Sequence, residues 1–316
     1  MPGFVMKIDE QAAWDFIRQG YVLCPRSVLK DRRNPPPKIL PLKRIDNTQI
    51  PDFFARKLTN AMGPLMKTRR AIMFSGGFDS LLVCLLAREC GANVKAVTVA
   101  FEHFNPLTVR GAVEAAASIG IDHHILHVKT AEFLSAMEVL AGLTEEPVFD
   151  LDLAIVYAAL KKYNRRIAGN VFISGMGSDQ WFGNESLQTK ADGFQAQLQV
   201  AISAEAAHQK VAQAHGCSFI FPFISRPMLA LAQAIPARMK KDKQLLRALS
   251  VAQIIPSLRT PREMQVPSVI RRLLIQVYGR QAWPGPVIVN GASNRGMDYK
   301  LRQIVLGLWL KKNNKT

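Results

Sequence analysis

AIMFSGGFDSLLVCLLARE, residues 71–89, decides the fold. AIMF (71–74) is a short apolar run that reads as a buried strand. Asp79 to Cys90, with Leu82, Cys84, Leu85 and Leu86, reads as a helix. Between them SGGFDS (75–80) turns strand into helix within one hexamer. Gly76 and Gly77 permit positive φ and close backbone approach. The helix that follows opens with unpaired amides and a partial positive charge, which together bind phosphate oxygens. Ser75 and Ser80 add hydroxyl donors, and Asp79 supplies a carboxylate suited to Mg²⁺. No Gly-Lys-Ser/Thr closes the hexamer, so it is not a Walker-type loop.

Outward from this loop the chain alternates. VKAVTVAF (94–101) is β-branched and strand-like, Pro106 to Gly120 is Ala-rich and helical, and HHILHV (123–128) is a strand. Ala131 to Leu143 and Leu151 to Arg166 are helical, and NVFISG (170–175) is a further strand. This period predicts an α/β fold, a parallel twisted sheet with helices on both faces. Beyond about residue 190 a mostly helical part follows, with no clear strand. Upstream, Asp9 to Gln19 is a short amphipathic helix. The stretch from Gly20 to Arg44 carries seven basic residues and one acid, and Pro35 to Pro37 make it an extended connector. Pro51 to Met62 reads as a helix. Two units are expected, an N-terminal segment over 1–66 and the main domain over 67–316.

The 316 residues carry 41 Lys+Arg against 24 Asp+Glu, a net charge of +17, which points to a polyanionic partner. A hydrophobic fraction of 48% excludes disorder as the dominant state. No apolar run approaches the roughly 20 residues of a membrane span, and the N-terminus lacks a signal-peptide core. A cytoplasmic location is expected. Cys24, Cys84, Cys90 and Cys217 show no metal or disulfide spacing, and His123, His124 and His127 read as structural.

SGGFDS resembles the pyrophosphate loop of the N-type ATP pyrophosphatases, and later segments narrow the resemblance to the synthetase half of the asparagine synthetase family, β-lactam-forming members included. AVTVAFEHFNPLTVRGAVEAAASIGIDHHILHV (96–128) is similar to the segment that ends at the adenine pocket, which implies Val97 and Phe101 along the base. TEEPVFDLDLAIVYAAL (144–160) resembles the family's Glu-Pro…Asp stretch and implies Glu146 beside the reacting carbonyl, as proton acceptor for the attacking amine. SGMGSDQWFGN (174–184) is similar to the segment carrying the second metal ligand, and implies Gly175 and Ser178 at the nucleotide and Asp179 beside Asp79 on Mg²⁺. FPFISRPMLALAQAIP (221–236), KQLLRAL (243–249) and VLGLWLKK (305–312) resemble later family segments in the same order. GYVLCPRSVLKDRRNPPPK (20–38) resembles the tail of the glutaminase domain that precedes the synthetase half, and nothing resembling the rest of that domain is present.

Several positions depart from the family. Met176, Gln180 and Ser225 stand where it has acids. In RTPREMQVP (259–267) the position of the lysine that stabilises the transition state is Pro261. Arg262 is the nearest cation, with Lys243 or Arg247 as the next candidates. The resemblance implies an ATP- and Mg²⁺-dependent ligase that adenylates a small-molecule or peptide carboxylate and transfers it to ammonia or an amine. It leaves room for a separate amidotransferase or carrier partner, and no specific nucleic acid is expected. The alternatives are a tRNA-modifying enzyme using the same loop and a degenerate, non-catalytic nucleotide-binding homologue. The purified chain given glutamine alone is expected to yield no glutamate; glutamate measured by coupled assay would contradict the reading of the N-terminal segment.

Overall fold

The computed structural model describes residues 7–19, 22, 26–28, 30, 39, 46–62, 70–103, 106–163, 171–183, 193–249, 252, 268–279 and 297–313. Five strands form one sheet: β1 (Arg70–Met73), β2 (Val94–Phe101), β3 (His123–Val128), β4 (Val171–Ser174) and β5 (Ser218–Ile220). Every pairing is parallel and the order is β3-β2-β1-β4-β5. Strand β5 lies in the C-terminal part, which the sequence alone reads as mostly helical with no clear strand. It is three residues long, too short for its alternation to register in sequence, yet it pairs with β4 from Val171↔Ser218 to Ile173↔Ile220.

The helices are α1 (Glu10–Gln19), α2 (Ile50–Met62), α3 (Phe78–Glu89), α4 (Pro106–Ser118), α5 (Thr130–Leu143), α6 (Leu151–Tyr163) and α7 (Ser178–Phe182). They continue with α8 (Gly193–Gln213), α9 (Arg226–Ala234), α10 (Ala237–Lys240), α11 (Gln244–Arg247), α12 (Ser268–Tyr278) and α13 (Met297–Asn313). Helices α3 and α4 pack on β1, β2 and β3, α6 packs on β2 and β3, and α8 packs on β5; with right-handed crossovers, the rule for parallel strands, the first pair and the second cover opposite faces. With both faces covered, the central strands β1, β2 and β4 are buried nearly throughout, as Ala71, Ile72, Ala96, Val97 and Ile173 show by being fully buried, while the edge strand β3 alternates. Among the described residues no helix is long and apolar enough to cross a membrane.

The N-terminal helices are built into this body. Helix α1 packs on α13, and α2 packs on α3 and α9. Phe16, Ile50, Phe54 and Leu58 join the same buried cluster as the sheet. Phe54 meets Phe182 of α7 edge-on, ring centroids 4.9 Å apart. Phe54→Ala should therefore cost about 3–5 kcal/mol of global stability. Leu107→Ala, at a position 59% exposed on α4, should stay within about 0.5 kcal/mol. Urea unfolding of the two variants checks both values, and a tolerated Phe54→Ala would show that α2 is not part of the core.

Candidate functional site

The sheet reverses its order of growth at β1, which lies between β2 and β4. Such switch points open a crevice at the carboxyl ends of the strands. Met73 pairs with both Val97 and Ser174, so the loops after β1 and β4 leave the sheet side by side. In the first loop Gly76 takes φ 75°, while Gly77 is extended at φ −71°. Only one of the two glycines uses left-handed backbone. The Ser75 and Ser80 hydroxyls lie 3.2 Å apart, Ser75 Oγ accepts the Gly77 amide, and Ser80 Oγ donates to the Gly77 carbonyl at 3.0 Å. These hydroxyls knit the turn that starts α3. The second loop touches the first: a Cβ on Gly175 would come within 3.0 Å of the Asp79 carbonyl carbon.

This contact brings two carboxylates together, and a lysine joins them. Lys243 Nζ lies 2.8 Å from both Asp79 oxygens and 2.7 Å from Asp179 Oδ1. Its side chain is only 15% exposed. Burial alone would lower the pKa of the lysine, but the Asp79 and Asp179 carboxylates outweigh it and hold the ammonium above its ordinary value. Burial pushes Asp79 up, the Lys243 ammonium opposes that shift, and the Asp179 charge adds to it. For the three groups together, the direction we stand behind is a firmly protonated lysine. Asp242 and Lys243 both take left-handed backbone, φ 51° and 59°, which costs on the order of 1–3 kcal/mol each in residues other than glycine. Phe78, inside the hexamer, lies under two cations, with Lys243 Nζ 5.5 Å and the Arg247 guanidinium 4.7 Å from its ring centre.

The two loops wall a cavity of about 470 Å³. Its polar side carries Ser75, Asp79, Ser80, Gly175, Ser178 and Asp179, all expected from the sequence. Its apolar side is built from Met73, Phe74, Val97, Val99, Ile155 and Val156. Met176 and Gln180, which stand where the family has acids, also line it, as does Asp152. Asp152 opens into the cavity, but the protein around the cavity and the Asp150 carboxylate push it up to about 7, with Arg271 opposing.

Two expected residues stand elsewhere. Phe101 lies in the core, not on the cavity wall. It sits beyond the end of β1, where α5 covers it, and its ring packs on Phe133 at 5.3 Å. Glu146 is also away from the loops: Ser27 donates its hydroxyl to Glu146 Oε1, and the Val28 amide donates to Oε2 at 3.0 Å. It borders a second cavity of about 180 Å³, against α8. Arg262 and Pro261 lie outside the described residues.

The site suits a hard divalent cation. Asp79 and Asp179 converge on one ammonium position, and no group of three potential metal-ligating His, Cys, Asp or Glu residues occurs among the described residues. Mg²⁺ in nucleotide sites draws on one or two carboxylates and takes its other ligands from water and phosphate.

Residues 55–209 match the asparagine synthase family. Over 113 residues the chain is 26% identical to asparagine synthetase [glutamine-hydrolyzing] 1 of Bacillus subtilis, covering 36% of this chain and 18% of that protein. A putative asparagine synthetase [glutamine-hydrolyzing] of Mycobacterium tuberculosis is 28% identical over 113 residues, 36% of this chain and 17% of its own length. The matched stretch thus spans less than a fifth of either relative. Among solved structures, the U34-tRNA thiolase NcsA of Methanococcus maripaludis aligns over 92% of this chain and 89% of its own, at 14% identity and a TM-score of 0.40. The fold assignment rests on the sheet order itself.

The position of Asp152 has a pH signature. A carboxyl raised from 3.8 to about 7 favours the native state fully while protonated in both states, and that contribution is lost as pH rises through its folded value. Asp152→Asn should match wild-type melting near pH 3.8 and exceed it above pH 7. A difference in melting temperature that does not vary with pH would place Asp152 in an unperturbed setting.

Proposed function

From the match of residues 55–209 to the asparagine synthase family, we propose that the chain is an ATP-dependent ligase that activates a carboxylate as its adenylate and passes it to ammonia or an amine. The observation that carries this reading is the convergence of Asp79 and Asp179 on one cation position beside the open N-terminus of α3. The first amides of that helix have no acceptor within it and suit the oxygens of a leaving pyrophosphate. The apolar wall around Val97 and Val99 suits a purine base. Mg²⁺ held by the two carboxylates would neutralise charge on the pyrophosphate as it leaves.

In the first step a carboxylate oxygen attacks the α-phosphorus and the bond to the β-phosphate breaks. In the second, a nitrogen attacks the acyl carbon, and AMP and a proton leave. Lys243 and Arg247, both over Phe78 beside the loop, would meet phosphate charge in this reading. Glu146, bound to the N-terminal segment, is not assigned the proton transfer.

A second reading draws on Lys243. A lysine fixed permanently between Asp79 and Asp179 would leave a nucleotide-binding homologue without turnover. Pyrophosphate and AMP release, screened against candidate acids with ATP and Mg²⁺, separates the two. Asp79→Ala and Asp179→Ala should each lower that release by at least about 10²–10³-fold, the usual loss for one electrostatic partner of the transition state, without loss of helical circular dichroism. Formation of ADP would overturn the adenylation chemistry, and nucleotide binding without any product would favour the second reading.

A further inference from the structure

We propose that Lys243 is a displaceable internal cation: in the nucleotide-free protein its ammonium holds the place between Asp79 and Asp179, and it must vacate that place before a divalent cation can enter. The inference rests on the reading of the cavity as a metal–nucleotide site. It concerns how that site is filled, not which acid is activated.

The geometry carries it. One nitrogen reaches three carboxylate oxygens from two separate loops, at 2.7 to 2.8 Å. A magnesium ion needs such oxygens at roughly 2.0–2.1 Å. The ammonium and the metal therefore compete for the same oxygens, and two positive charges cannot share that space. Occupancy by one requires removal of the other.

The backbone supplies the means of removal. Lys243 is the residue before α11, and Asp242 and Lys243 are the two residues outside glycine that take positive φ among the described residues. Left-handed backbone at two successive side-chain-bearing residues persists only where other contacts hold it. Here the holding contacts include the ion pairs with Asp79 and Asp179, the ring of Phe78, and the Arg247 Nε that donates to the Asp242 carbonyl at 3.0 Å. Return of Lys243 to right-handed backbone would extend α11 by a residue and swing the ammonium away from the carboxylates. An incoming triphosphate offers the released ammonium a new anionic partner. The free protein should therefore bind metal poorly, and metal and nucleotide should enter together.

Titration with Mn²⁺ in the absence of nucleotide, read by the electron paramagnetic resonance of the free ion, tests this. Lys243→Met should bind Mn²⁺ at least about tenfold more tightly than wild type, one order of magnitude being the least that removal of a direct competitor should give. Adding Asp79→Asn to that variant should return the affinity to the wild-type level, which places the gain at this site. Lys243→Gln, which keeps a hydrogen bond to the carboxylates but removes the charge, should show the same direction and serves if the methionine variant does not fold. Equal Mn²⁺ affinity in wild type and a folded variant would overturn the proposal. So would a wild type that fails to bind Mn²⁺ with a non-hydrolysable ATP analogue when Lys243→Met binds both, because the lysine would then be a permanent occupant. The titration contains no acid or amine, so the ligase reading can fail while the exchange stands.

Discussion

Two carboxylates from separate loops are pressed together at the carboxyl edge of the sheet, and much of the surrounding structure answers their repulsion. The register leaves them no alternative, since Met73 and Ser174 end adjacent strands at the same level. At an effective dielectric near 20, two like charges about 4 Å apart repel by about 4 kcal/mol. Burial raises the Asp79 carboxyl first, and the Asp179 charge adds to that shift, so a positive charge between the two keeps both ionised more readily. Lys243 offsets the repulsion directly, and its ammonium is held charged in return. A core of apolar residues fixes the loops, while this triad decides what the loops can receive.

The second carboxylate needs a brace as well as a counter-charge. Asp179 sits on α7, a helix of five residues that cannot be stable by itself. Trp181 and Phe182, both buried, anchor it from behind. Phe182 packs between Phe54 of α2 and Phe223 of the 3₁₀ turn at Pro222–Ile224, at 4.9 and 6.3 Å. Helix α2 therefore takes part in positioning Asp179, far from it in sequence. A segment whose basic, proline-rich connector reads as a linker turns out to end in a structural support.

The legible parts of the site were those coded locally. SGGFDS specifies strand, turn and helix in consecutive residues, so Ser75 to Ser80 could be placed without knowing the rest of the fold. SGMGSDQWFGN likewise carries its own turn and short helix. Residues that reach the site through tertiary packing were harder to read. Phe101 follows Val97 and Val99 in alternation on β2, but β2 runs beyond β1, and α5 closes over that extension. Glu146 lies in a stretch with no regular structure, and its direction is set by Ser27 and Val28 from the other end of the chain. The contact of Lys243 with Asp79 depends on a left-handed turn at a lysine, which no propensity scale would place there. Strand β5 was missed because three residues give no period to read.

The charge balance of the triad sets what kind of ligand the cavity accepts. Asp79, Asp179 and Lys243 together carry one net negative charge, close to a loop whose helix amides attract anions. A bare polyphosphate entering this cavity meets two carboxylates and one ammonium, so it needs a cation of its own to be bound favourably. A bare divalent cation meets the ammonium first. A polyphosphate that arrives with its cation resolves both conflicts, because the carboxylates gain the metal and the ammonium gains phosphate oxygens. Under the proposed exchange, selectivity for the paired ligand over either part alone would follow from electrostatics, and the strained backbone at Asp242 and Lys243 would lower the cost of the rearrangement.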